Sequence, residues 1–545
     1  MHSRRDALAA LLTTGAAVTL SEKAAAFVPL TATAAGGPAP RVWARGIENQ
    51  RKADLGNGTY LNPVMAGAYS DPTILKDGRD YYMTFSSFEA DPGLLIWHSR
   101  DLVNWTPLAA ALPSPLGSVF AVDLVKHDGR YFIYIPLVPT ARSTALKTNR
   151  IYVIHSDRID GGWSKPIDLG IEGYIDPGHA VGEDGERYLF LSGGHRVKLA
   201  RDGLSTAGKV EKVYDGWHYP DDWITEAYAL EGPKVRRHGD YFYLVSAVGG
   251  TGGPPTGHMV IAARSRSING PWENCPYNPI VRTRDAHEAW WSRGHASLVE
   301  GPAGDWWMVY HGYENGFRTL GRQTLLEPIR WTADGWFEAL GGDLSRPIAK
   351  PKGGTEGTHG VARSDDFRSP DLGSRWSFQA PGPEDAKRVS TGGGVLTLAA
   401  SGNGPEASSP LTGLAGDRSY EISVEVSLAD TATGGILLFL SSRLFLGMAI
   451  DGARLITYAG GRQHYWREPA PASKRMFLRI ENCEHIITFY YSLDGRQWTR
   501  HGLRLESSGY NANTVLPGEG ESLRPVVFAV GSGSVQFRDY RYRAL

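Results

Sequence analysis

At 545 residues the chain exceeds what one ordinary core holds, so two or more domains are expected. A net charge of −1 excludes a basic field for nucleic acid, and 11% aromatics with 66 glycines favour short strands and tight turns over helices. The two cysteines, Cys275 and Cys483, are far apart in the chain, which excludes a disulfide framework.

The N-terminus reads as an export signal rather than as part of the fold. Paired arginines in Ser3-Arg4-Arg5-Asp6 precede an apolar run, Ala7 to Leu20, that is too short to span a bilayer, and Ala24-Ala25-Ala26 offers a cleavage site. Residues 1–40 are therefore assigned to a twin-arginine signal and disordered leader. The expectation is a protein exported to the periplasm or beyond, with no membrane anchor.

Residues 41–350 carry a repeat. A turn followed by an aromatic strand returns five times, in Asp77-Gly78-Arg79-Asp80-Tyr81, Asp128-Gly129-Arg130-Tyr131, Asp184-Gly185-Glu186-Arg187-Tyr188, His238-Gly239-Asp240-Tyr241 and Ala303-Gly304-Asp305-Trp306. In three of the five a further strand follows, ending on Trp105, Trp163 or Trp272, each placed to pack between units. A strand–turn–strand unit of this length cannot bury both faces alone, whereas five in a ring can, so an all-β, five-bladed propeller is predicted. Residues 351–360 form a Gly/Lys/Thr linker. Beyond it, alternating runs such as Tyr420-Glu421-Ile422-Ser423-Val424-Glu425-Val426 predict antiparallel strands, and 361–545 read as one β-sandwich.

Counting back from the turn glycines to the start of each innermost strand gives Asp71, Asp123, Asp176, Glu231 and His295. In a propeller these residues face one central channel. Asp71 precedes Pro72, which biases its backbone to an extended form. Carboxylates gathered in one cavity raise each other's pKa, the condition for an acid/base pair. Asp71 and Glu231 belong to non-adjacent blades and so face each other. Two carboxyl groups separated by a sugar and a water would make an inverting glycosidase, with Asp123 as a third carboxylate able to hold the acid.

At the level of motifs, residues 60 to about 340 resemble glycoside hydrolase family 43. The motifs are Leu61-Asn62-Pro63-Val64 with Tyr69-Ser70-Asp71-Pro72, Thr84-Phe85-Ser86-Ser87-Phe88-Glu89, His98-Ser99-Arg100-Asp101, Glu231-Gly232-Pro233-Lys234 and Gly294-His295-Ala296-Ser297. The resemblance implies Asp71 as general base, Glu231 as general acid and Asp123 as the residue that tunes and orients the acid. It implies His295 near bound water or a central ion, and Arg322 as a substrate- or carboxylate-binding arginine. No cofactor is required, and a structural calcium ion in the channel, with His295 as candidate ligand, is an expectation. Asp176-Pro177 repeats the form of Asp71-Pro72 but receives no catalytic step from the resemblance and is read as structural. Glu226 ranks second to Glu231 as acid. Phe88, Phe120 and Trp97 are candidate sugar-stacking rings. Family members often carry Trp-Ala-Pro-Asp at the Asp123 position, where this chain has Phe120-Ala121-Val122-Asp123. Residues 361–545 resemble the concanavalin-A-like sandwich attached to β-xylosidases of that family, and Gln463-His464-Tyr465-Trp466 is a candidate for a loop that closes the pocket. The expected function is exo-acting, inverting hydrolysis of pentose glycosides of plant oligosaccharides or polysaccharides, with β-1,4-xyloside first, then α-L-arabinofuranoside, then galactan. The alternative is a non-catalytic glycan-binding propeller.

Overall fold

The structure is a computed structural model that describes residues 42–114, 116–139, 146–382, 384–464, 470–515 and 518–545. The leader at residues 1–40, and Tyr465 and Trp466, lie outside the described residues. Five antiparallel four-stranded sheets follow one another in the chain, some with an added short strand. Their innermost strands are Thr73–Asp77, Asp123–His127, Gly178–Val181, Glu231–His238 and Trp290–Glu300. These strands open blades 1 to 5 of a β-propeller.

Each blade turns where the sequence predicts. Gly78, Gly129, Gly185, Gly239 and Gly304 all have φ between +56° and +84°, a region that costs a residue without Cβ least. The predicted inter-blade tryptophans are also in place. Trp105 is fully buried in a cluster with Trp307 and Val299 of blade 5, and Trp272 meets Phe190 of blade 3 edge-on at 5.8 Å. A short pairing of Thr59–Tyr60 with Ile348–Ala349 joins the two ends of the ring.

The segment 351–360 is docked on blade 1. The Gly360 amide donates to Trp105 O at 2.8 Å, and a Cβ at Gly354 would sit 2.8 Å from Asp101 Cα. Past it, a seven-stranded and an eight-stranded sheet enclose the second core. Ser419–Leu428 alternates buried and half-buried residues along its length, sending Tyr420, Ile422, Val424 and Val426 into that core.

Propeller and sandwich belong to one compact unit, Trp43–Leu545. Ala90–Asp91 of blade 1 forms the edge strand of the eight-stranded sheet by pairing with Phe378 and Gln379. Glu314 of blade 5, fully buried, accepts from Arg51 Nη1 at 2.7 Å and from Arg418 Nε of the sandwich at 3.0 Å. Burial alone would raise its pKa, but the two guanidiniums lower it to about 2. The seam is therefore held by backbone pairing and by buried charge.

Candidate active site

The channel opens into a pocket lined by Asp71, Asp176, Glu231, His295, Arg322 and Phe88, with Phe120, Ala121, Glu226 and Tyr313 also in its wall. Its volume is about 160 Å³, below the roughly 300–1,000 Å³ of pockets for drug-sized ligands. That is room for about one sugar ring.

Asp71 does not adopt the extended backbone expected before proline. Its φ is +57°, and Asp176, also before proline, has φ +56°. This left-handed region is one that Asp tolerates better than most residues. In each case the residue stands two positions ahead of its blade's first strand residue, Thr73 or Gly178, and faces the pocket. Asp71 Oδ2 accepts from Ser86 Oγ at 2.5 Å, and Oδ1 accepts from Arg322 Nη1 at 2.8 Å. His311 Nδ1 lies 3.0 Å and His295 Nδ1 3.4 Å from Oδ1. Burial works to raise the Asp71 pKa, but the positive groups around it, Arg322 first, hold the carboxyl well below the usual range. Burial also lowers both histidines to about 4, so they are neutral at pH 7 and Arg322 carries the effect.

Glu231 is in the opposite state. It opens the blade 4 strand at a bulge, and burial together with the like charges of Asp176 and Asp71 pushes its carboxyl well above the usual range. Asp176 is raised to about 7, by burial first and then by Asp71. The two are tied by the backbone, because the Gly232 amide donates to Asp176 Oδ2 at 3.0 Å. Gly232 has φ +61° and rests on the His295 ring, where a Cβ would meet Nε2 at 2.9 Å.

Asp123 requires a correction. It does not line the pocket, which in blade 2 is reached by Ala121, two residues earlier. Asp123 is the first residue of its strand, level with Thr73 rather than with Asp71. Buried there, it accepts from Thr73 Oγ1 at 3.0 Å, Lys234 Nζ at 2.8 Å and the His179 amide at 2.7 Å. It ties blades 1, 3 and 4 to blade 2 beneath the pocket floor. Asp176, set aside as structural in the sequence reading, occupies the wall instead. Glu226 also lines the pocket, but its Oε2 is engaged by the Gly252 amide at 2.6 Å.

Phe88 and Phe120 meet edge-on at 5.4 Å and form one wall. Trp97 is buried away from the pocket, against Tyr69 at 5.5 Å. Among the described residues, the sandwich reaches the pocket through Ala512, Asn513, Gly518, Gly520 and Glu521; of the candidate segment 463–466, Tyr465 and Trp466 lie outside the described residues. Glu521, Ser86, His311 and Tyr313 are among the contributors that sequence reasoning missed. Ser86 lies within the Thr84–Glu89 motif and was within reach, but nothing local marks Glu521.

The suggested calcium finds little support in the donor set. Calcium takes six to eight oxygen ligands, and among the described residues no group of three or more His, Cys, Asp or Glu side chains is disposed to hold a metal.

A five-bladed propeller with an ionised carboxylate and raised carboxyls in one sugar-sized pocket defines a glycoside hydrolase. The chain belongs to glycosyl hydrolases family 43, whose family model matches residues 60–337. A second model, for the β-xylosidase C-terminal concanavalin A-like domain, matches residues 364–520. The chain is 30% identical over 381 residues to a xylan 1,3-β-xylosidase of a Vibrio species, covering 62% of this chain and 68% of that protein. It is 31% identical over 345 residues to the non-reducing end α-L-arabinofuranosidase BoGH43B of Bacteroides ovatus, covering 59% and 62%. Among solved structures, the GH43 protein BlXynB of Bacillus licheniformis superposes with a TM-score of 0.77 at 27% identity, over 89% of this chain and all of that one.

Proposed function

We propose that the protein is an exo-acting, inverting glycosidase that removes a terminal pentose, with a β-xyloside as first substrate. Glu231 gives its proton to the leaving glycosidic oxygen as the bond from the anomeric carbon to that oxygen breaks. Asp71 takes a proton from a water whose oxygen bonds to the anomeric carbon from the opposite face. Asp176, rather than Asp123, is the residue that keeps Glu231 protonated. The single observation that carries this reading is the contrast between two carboxyls in one pocket: Arg322 Nη1 bonds Asp71 Oδ1 at 2.8 Å and holds that carboxyl low, while burial and the like charges of Asp176 and Asp71 push Glu231 up. The small pocket volume supports the exo mode, and the family's β-xylosidase-type sandwich supports the xyloside. The α-L-arabinofuranoside reading is kept as a second one because BoGH43B carries that name. Export by the twin-arginine route belongs to this proposal and rests on Arg4-Arg5 and the following apolar run.

A panel of nitrophenyl β-D-xyloside, α-L-arabinofuranoside and β-D-galactoside, followed by proton NMR of the first product, tests the reading. Turnover of a pentoside with inversion is expected, and loss of nearly all of it in Asp71→Ala and Glu231→Ala. Retention of configuration, or near wild-type turnover by both variants, overturns it.

A further inference from the structure

Arg322 is the guanidinium that holds Asp71, and it is itself shared with a second acid. Nη1 bonds Asp71 Oδ1 at 2.8 Å, while Nε and Nη2 both bond Oε2 of Glu521, at 3.2 and 3.0 Å. Glu521 comes from the sandwich, between the short helical turn Ala512–Thr514 and the strand Arg524–Val530, and it lines the pocket. Its segment is firmly seated on blade 5. The Leu523 amide donates to Thr319 O at 2.8 Å, and a Cβ at Gly321 would stand 3.0 Å from Glu521 O. A guanidinium facing one carboxylate prefers the two-pronged grip that occupies both oxygens. Glu521 takes the Nε/Nη2 edge of Arg322, and Asp71 is met by Nη1 alone, at Oδ1, its Oδ2 being held by Ser86 Oγ.

We infer that Glu521 is a positioning residue, through which the sandwich holds Arg322 in a one-pronged contact and so preserves Asp71 as an effective base. This rests on the assignment of Asp71 as base. Were Glu521 neutral, Arg322 would be free to swing fully onto Asp71. Asp71 would then be a more stable, weaker base. The charged and titratable groups around the pair are Arg322, His295, His311, Asp176 and Glu231 about Asp71, and Arg322, Arg524 and Tyr313 about Glu521.

The test compares Glu521→Gln and Glu521→Asp in the full chain with Glu519→Gln, whose carboxylate meets Arg443 instead. Nitrophenyl xyloside and arabinofuranoside are the probes, and kcat, KM, the pH profile and the melting temperature are measured. Glu521→Gln is expected to lower kcat about tenfold or more and to move the acid limb of the profile to lower pH, with Glu521→Asp recovering part of the loss. Glu519→Gln stays at wild type in kcat and in the acid limb. A folded Glu521→Gln that matches Glu519→Gln in both overturns the inference, as does a Glu521→Asp no better than Gln. If Gln does not fold, Glu521→Asp with wild-type kcat and acid limb overturns it equally. A wild-type protein inactive on the whole glycoside panel would instead sink the assigned activity, so the two failures are distinguishable.

Discussion

Lys234 Nζ of blade 4 lies 2.8 Å from Asp123 Oδ1 of blade 2, and both side chains are almost wholly buried. The ammonium also reaches the carbonyls of Val122 and Pro177. A buried pair of this kind is costly to break from one side, because the remaining charge is left without a partner. Asp123→Ala is expected to lower unfolding free energy by about 3–5 kcal/mol in denaturant titration. Turnover per folded molecule should stay close to wild type, since Asp123 does not touch the pocket. A shifted alkaline limb in the pH profile of Asp123→Asn would restore its assignment as tuner of the acid.

Asp176 is expected to behave in the opposite way. Asp176→Asn removes a like charge beside Glu231, so the acid loses its proton at lower pH. The alkaline limb of kcat/KM should move to lower pH, with neutral-pH activity falling by about tenfold or more. Kinetics across pH 4–9 decide this, and an unmoved alkaline limb would refute the coupling.

The same residue predicts how stability varies with pH. The pKa of Asp176 is raised from 3.8 to about 7 in the folded protein. Its contribution is thus fully present below pH 3.8 and is lost as pH rises through 7. The Tm of the wild type should fall relative to Asp176→Asn across that window, by an amount worth on the order of a few kcal/mol. Calorimetric scans at several pH values give the comparison. Asp176 and Glu231 share their protons, so the slope belongs to the pair.

Glu231→Ala is expected to show a leaving-group signature. With an alkyl xyloside, which needs protonation to depart, the loss should be on the order of 10²–10⁴ in kcat. With a dinitrophenyl xyloside, which departs unaided, it should be far smaller. Equal losses with both substrates would mean that Glu231 does not protonate the leaving oxygen.

Glu314 predicts the acid limit of the domain seam. Its pKa falls from 4.5 to about 2, so its stabilisation is present above pH 4.5 and is lost as pH drops through 2. Glu314→Ala should cost about 3 kcal/mol at neutral pH and less in acid, measured as the change in denaturation midpoint.

The local code was strong enough to specify the repeat. Turn glycines followed by aromatic strands mark five blades, and alternation along Tyr420–Val426 marks the sandwich, because both patterns are set by near-neighbour backbone geometry. Asp71 and Glu231 were legible as pocket residues for the same reason, each standing at a recognisable strand entrance. Depth along the channel was not legible. Counting to Asp123 rather than Ala121 misplaces a carboxylate by two residues, about 7 Å along a strand, which carries it from the pocket wall to the floor. Only the packing of four blades decides that Asp123 meets Lys234 while Asp176 meets the Gly232 amide. Nor could local pattern announce Glu521, 199 residues from Arg322 in the chain. Its carboxylate enters the pocket because the sandwich docks on blade 5, and contacts of that range are set by the fold as a whole.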